Sequence, residues 1–306
     1  MAHKTLVNGT AYEVNGGKCI VGGTSYDIKK GRTLINGTGE DIVFSSVPPI
    51  LDENDWTTIR EVSDAGQGSN YWSIGDRKAI TLNGTLGHLS LSNYTTYAFI
   101  IGFNHNASVE GANRIHFQLA KTALSGGTDV CLCDSSYKSD VSATDYFSMN
   151  RSQTTSGGWK SSQMRTNICG TSLSSYSGTI IAVIPAALRA VLKSVTKYTD
   201  NTGNSSSASA VTATTDYFFL LSEYEVFGTI KHGNPNESSK QAQYLYYSAG
   251  NSKVKYNHSA TSIAVFWWLR SPSAIYPNYF IGVFPNASIG NFVATRSYGF
   301  APGFCV

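Results

Sequence analysis

The chain has 306 residues, a net charge of +3 and only 14% charged residues. That is length enough for one large domain with an appendage, and too weak a basic excess for a nucleic-acid footprint or an anionic membrane partner. Gly (29), Tyr (18) and Phe (14) are frequent, as in strand-and-loop proteins with aromatic surfaces.

The opening MAHKTLVNGTAYEV has no apolar leader segment, and no later stretch is long and apolar enough to cross a bilayer. Cytosolic synthesis without a signal peptide, and no membrane insertion, are therefore expected. The five cysteines, Cys19, Cys131, Cys133, Cys169 and Cys305, are scattered and odd in number, which argues against a disulfide framework and fits a reducing compartment.

Residues 5–42 repeat: TLVNGTAYEV, CIVGGTSYDI and TLINGTGEDI, joined by NGGK and KKGR. Each unit sets Asn-Gly or Gly-Gly between short β-prone runs, where positive φ suits a two-residue hairpin turn, so a small antiparallel meander is predicted. Strands this short bury little on their own, which points to an attachment or oligomerisation module over residues 1–45. A flexible leader is the other reading.

Ser45–Pro49 reads as a linker, with the main domain at 46–306. LDENDWTTIREVSDAG predicts a helix capped by Asp52 or Asn54 and ending near Gly66. YWSIGDRKAITLNGTLG then offers a hairpin turn at Asn83-Gly84, and YAFIIGFNHN a core strand. Helices are predicted at 158–169 and 184–199, the second with Leu188, Val191, Leu192 and Val195 on one buried face. The polar run at 200–215 reads as an exposed loop without chemistry, before a strand YFFLLSEYEVFG.

At GGWKSSQMR, FLLSEYEVFG, FWWLRSP and the terminal YGFAPGFCV, residues 50–306 resemble an uncharacterised domain family of gut bacteria and their phages. FWWLRSP followed by GFAPGF is also similar to the variable proteins of diversity-generating retroelements. That resemblance implies an α+β fold: a C-type-lectin-like domain, strand- and loop-rich with a few helices, preceded here by the small all-β repeat module.

In such proteins template adenines are randomised, so diversified Asn codons drift to a set without Lys, Glu, Gln, Met or Trp. After Trp268 the chain contains none of these five, its longest such gap. The resemblance thus implies a variable region at about 273–298. Its ligand-binding positions would be Ile275, Tyr276, Pro277, Asn278, Tyr279, Gly282, Phe284, Pro285, Asn286, Ser288, Asn291, Phe292, Arg296 and Tyr298, whose order shows no helical or strand period. Tyr, Phe and Ile supply contact area at low entropy cost while Asn and Ser supply adaptable hydrogen bonds, as in antibody paratopes. A fixed Gly-, Asn- and aromatic-rich β-region is the plainer reading. Trp267, Trp268, Leu269 and Arg270 are assigned to the scaffold.

Other chemistries find little support. The last acidic residue is Glu237, so the C-terminal part lacks carboxylates for calcium-dependent sugar recognition. The fold is distantly similar to that of formylglycine-generating enzymes, but their copper-binding cysteine pair is missing, only Cys305 lying in that region. Cys131-x-Cys133 has no partner pair at zinc spacing, and His105 and His116 flank no HExxH, so these are assigned structural roles. No phosphate loop or nucleophile elbow is present. The expected protein uses no metal or cofactor and is not an enzyme. It is a receptor-binding, adhesin-like protein at a phage or prophage tail tip, made in the bacterial cytoplasm. It would dock to tail components through its repeats and engage a host cell-surface receptor, protein or glycan, as a homotrimer. A bacterial surface protein with a fixed lectin-like domain and, more remotely, a formylglycine-generating-type oxidase remain as alternatives.

Overall fold

The structure is a computed structural model that describes residues 47–306 in full and, of the first 46, the backbone of six strands. It divides into two units, Met1–Pro48 and Pro49–Val306, with the boundary inside SSVPP.

In the first unit each sequence repeat is a two-stranded antiparallel hairpin rather than one turn of a continuous meander. Lys4–Val7 pairs with Thr10–Glu13, Gly17–Val21 with Thr24–Ile28, and Lys30–Ile35 with Thr38–Val43. The Asn-Gly and Gly-Gly dipeptides themselves lie outside the described residues.

The second unit is mixed α+β, rich in strands with short helices. Helix α1 (Trp56–Asp64) is capped by Asp55, whose side chain accepts from Thr58 N. The two residues expected to cap it have other partners: Asp52 accepts from Ala79 N, and Asn54 donates to Ile50 O. Burying Trp56, Ile59 and Val62 contributes roughly 1.5–3 kcal/mol each.

Five strands form the main sheet. Strands β1 (Arg77–Leu86), β2 (Leu89–Phe103) and β3 (Ile115–Lys121) run antiparallel. The chain's last strand, Gly303–Cys305, pairs with β3, and Phe218–Phe219 closes the order beyond it. Asn83-Gly84 is not the β1–β2 turn. The register shifts between Leu82 and Gly84, and the strand runs on to Leu86, so the dipeptide makes a bulge, which also uses glycine's conformational range. Trp56 of α1 packs against this sheet on Phe117 and Phe304, neighbouring strand residues whose rings stack at 5.2 Å.

Four further sequence expectations change in the fold. The helix expected at 184–199 stops at Val191, and Val195–Asp200 is strand β5, paired with β6 (Val211–Asp216); β4 is Val130–Cys131. The β-branched VTKYT segment finds a strand partner within the supposedly featureless 200–215 run. The 158–169 helix is two pieces, Gly158–Ser161 and a π-helical Met164–Cys169. Strand β7 is only Phe218–Phe219; Glu223–Phe227 is helix α2, opened by a reciprocal capping box between Ser222 and Glu225.

Strands β8 (Lys255–Asn257) and β9 (Ala260–Val265) join β4 in a small sheet. Another sheet follows: β10 (Trp267–Pro272), β11 (Tyr279–Val283) and β12 (Ile289–Val293), before the terminal β13 (Gly303–Cys305). Two regular strands therefore run through the segment in which the sequence shows no strand period.

Candidate binding surface

FWWLRSP supplies the foundation. Every residue of β10 is buried, and both indole N–H groups are satisfied, Trp267 on Lys253 O and Trp268 on Phe147 O, each at 2.9 Å. Arg270, fully buried, makes a two-pronged pair with the Glu225 carboxylate and adds Thr199 Oγ1 and Leu220 O as acceptors. Lys197 donates to Glu225 at 2.9 Å and to Glu110 at 2.7 Å. Two cations and two carboxylates thus balance inside the unit. Burial raises the Glu225 pKa, but Arg270 and Lys197 outweigh it and hold the carboxyl far below its usual range.

From this base the chain emerges as the 273–279 loop, and its backbone is pinned from several sides. Ser273 Oγ accepts from Ile275 N and Tyr276 N. Ala274 N donates to His232 O, Thr155 N and Oγ1 both donate to Pro277 O, and Ala294 N donates to Asn278 O. His232 is itself held, because Glu223 accepts from the amides of Lys231, His232 and Gly233. On another side, Asp200 gathers the amides of Thr202, Gly203 and Ser205 into a tight loop whose Asn204 reaches Ser273 O. The run dismissed in the sequence as uninvolved forms part of this rim.

The side chains of the pinned loop point outward. Ile275 is 65% exposed and Tyr276 48%, Pro277 is exposed, and Asn278 and Tyr279 are half-buried. Tyr276 and Tyr279 meet edge to face at 5.4 Å. A fixed backbone that presents Ile and Tyr to solvent has already lost the entropy that binding would otherwise cost.

The scaffold and loop described here fall within residues 136–306, which match the family model of a domain of unknown function, DUF6273. The match covers more than half of the chain. The chain belongs to the DUF6273 family. No curated protein and no solved structure matches it. The compact unit begins at Pro49, well before the DUF6273 match, because the terminal strand β13 needs β3 as its neighbour.

Within the DUF6273 region the fourteen candidate positions do not make one surface. Loops 274–278 and 284–288 lie at opposite ends of β11, separated by about 13 Å at ~3.3 Å per residue. At the second end Asn286 and Ser288 are exposed, and Asn286 Oδ1 accepts from both the backbone and the hydroxyl of Ser288; Pro285 is half-buried.

Two of the positions are corrected outright. Phe292 is 6% exposed and Gly282 is buried. The Phe292 ring lies over Gly282, where an added Cβ would come within 2.5 Å of the ring and 2.7 Å of Trp267 O. Register explains this: Trp268 is opposite Gly282, and Phe292 lies diagonally beyond it on the same face. Phe266, Phe284 and Tyr298 complete the aromatic layer, with Phe284 4.9 Å from Phe292 and Tyr298 5.1 Å from it. Phe284 and Tyr298 are therefore half-buried packing residues. Asn291 is half-buried on the opposite face, and Arg296, also half-buried, donates to Lys138 O.

Sequence reasoning missed Thr155, Asn204 and His232 as supports of the loop, since nothing local marks residues that act from more than 40 positions away. It weighs His105 and His116 together only against HExxH and links neither of them to Cys305 or Glu110. The structure brings them together with Glu110 in the core beside β3 and β13.

Proposed function

We propose that this protein is a receptor-binding protein and not an enzyme, with a C-type-lectin-like domain that presents the 274–279 loop to a host cell surface. One observation carries the reading: Ile275 and Tyr276 stand exposed on a loop whose backbone is hydrogen-bonded to three separate segments of the scaffold. Apolar and aromatic contacts on a preorganised loop are what a paratope uses. Residues 238–306 contain no Asp or Glu, so the loop supplies no carboxylate for calcium, and recognition rests on apolar contact and Asn or Ser hydrogen bonds. The setting that accommodates this design is a phage or prophage tail tip, with the N-terminal hairpins docked to tail components and a homotrimer gaining avidity from several weak sites. Diversification is confined to the outward positions, with Gly282 and Phe292 fixed by packing.

The test is titration of fluorescently labelled full-length protein onto intact cells of a panel of gut bacteria. Ile275→Ser with Tyr276→Ser should weaken binding to the responsive strain by at least about tenfold, and leave stability within about 0.5 kcal/mol. Undiminished binding by the folded double variant would overturn the assignment. A near-copy of the 3′ coding end, differing only at adenines and lying beside a reverse transcriptase, is the genomic sign of diversification.

A further inference from the structure

Four side chains with metal-ligating atoms converge in the core of the second unit, away from the binding loop. His105 follows β2, Glu110 ends the short turn Ala107–Glu110, His116 lies on β3, and Cys305 faces His116 as its direct cross-strand partner on β13. His105, Glu110 and His116 each offer an atom within 4.8 Å of the others. All four side chains are buried.

One nitrogen of each imidazole faces the cluster. His105 Nε2 lies 2.9 Å from the carbonyl of Ala242, which can only accept, so Nε2 carries a proton and Nδ1 is the atom turned inward. That Nδ1 has no hydrogen-bond partner, yet it stands 3.1 Å from Glu110 Oε1. An ion or a proton between this nitrogen and the carboxylate oxygen would satisfy both. His116 Nδ1 lies 3.1 Å from the Tyr244 hydroxyl. Lys197 also donates to that hydroxyl; because the ring nitrogen has one lone pair, an ion bound at Nδ1 would take the place of the Tyr244 hydroxyl there.

We propose that His105 Nδ1, Glu110 Oε1, His116 Nδ1 and Cys305 Sγ bind a divalent transition ion of the zinc type. His105, Glu110 and His116 form a set within 4.8 Å of one another, and Cys305 Sγ, which lies outside that set but against His116, must turn toward the ion to complete it. His105 Nδ1 to Glu110 is 3.1 Å, His116 Nδ1 to Cys305 Sγ is 3.3 Å, and His116 Nδ1 to Glu110 Oε2 is 3.8 Å. A tetrahedron with zinc–nitrogen bonds of about 2.05 Å and zinc–sulfur bonds of about 2.3 Å has edges of about 3.3–3.6 Å. Two imidazoles, a carboxylate and a thiolate form a donor set for zinc and not for calcium or magnesium. An outer layer exists as well: Ala242 O fixes His105, and Lys197 holds the second oxygen of Glu110. Because every donor is buried, the site is of the closed, structural kind, tying the terminal strand to β3 and to the segment after β2.

The experiment adds cobalt(II) to chelator-treated, tag-free full-length protein. One equivalent should bind with a thiolate-to-cobalt charge-transfer band. X-ray absorption should show one sulfur with nitrogen and oxygen neighbours, and zinc should raise Tm by roughly 5 °C or more. Cys305→Ser should abolish the charge-transfer band and weaken binding by at least about tenfold, while Cys131→Ser keeps both. Absence of stoichiometric binding by the wild-type chain, or a band that is lost with Cys131→Ser and kept in Cys305→Ser, overturns the proposal. The wild-type spectra decide the matter even where Cys305→Ser fails to fold.

Discussion

Lys255 opens β8 with its side chain fully buried and its Nζ without a hydrogen-bond partner, 5.1 Å from the Trp267 ring and 5.4 Å from that of Phe99. Burial lowers its pKa from 10.5 to about 8, with Asp129 pulling it up and Lys121 pushing it down. At 1.36 kcal/mol per pH unit that drop corresponds to about 3 kcal/mol. The unfolded chain binds this proton more tightly than the folded one. Stability from this group is therefore complete above pH 10.5 and is lost as pH falls through about 8. At pH 7 the folded protein carries the whole penalty, offset in part by two cation–π contacts of about 0.5–1 kcal/mol each. Lys255→Met, close in shape and without charge, should be more stable than the parent by about 1–2 kcal/mol at pH 7, with the gain gone by pH 10.5. Urea unfolding followed by tryptophan fluorescence measures this cleanly, since all five Trp residues lie between positions 56 and 268 and report only on the second unit. A variant less stable than the parent, by the same amount at both pH values, would refute the reasoning and show that Lys255 has a charge partner.

Two further substitutions test the scaffold. Arg270→Met removes the two-pronged partner of the buried Glu225 carboxylate and should cost about 3–5 kcal/mol in urea unfolding, whereas a cost under about 1 kcal/mol would mean that Lys197 suffices alone. Gly282→Ala drives a Cβ into the Phe292 ring and Trp267 O and should cost about 1–3 kcal/mol; a neutral result would return position 282 to the freely variable set.

Much of the local structure was legible from adjacent residues. The repeats prefigured hairpins. Ser222 to Glu225 carries a capping-box spelling inside a stretch that reads as strand, because the flanking YFFLL and VF are β-prone and the box is only four residues long. Asn83-Gly84 was equally ambiguous, since a bulge and a tight turn both use glycine's conformational range.

The candidate site divides in the same way. By itself the sequence determined the composition of the 273–298 stretch, its lack of long charged side chains, and the apolar weight of FWWLRSP. Those are properties of residue types and need no partner. Only the tertiary structure decided which of these side chains face water. Pairing of β10, β11 and β12 turns Phe292 and Gly282 inward and leaves Ile275 and Tyr276 outside on a loop held by Thr155, His232 and Asn204. It also set Cys305 opposite His116, 189 positions away. Burial and cross-strand contact are fixed by register between distant segments, and register is a property of the whole sheet that no single strand's sequence contains.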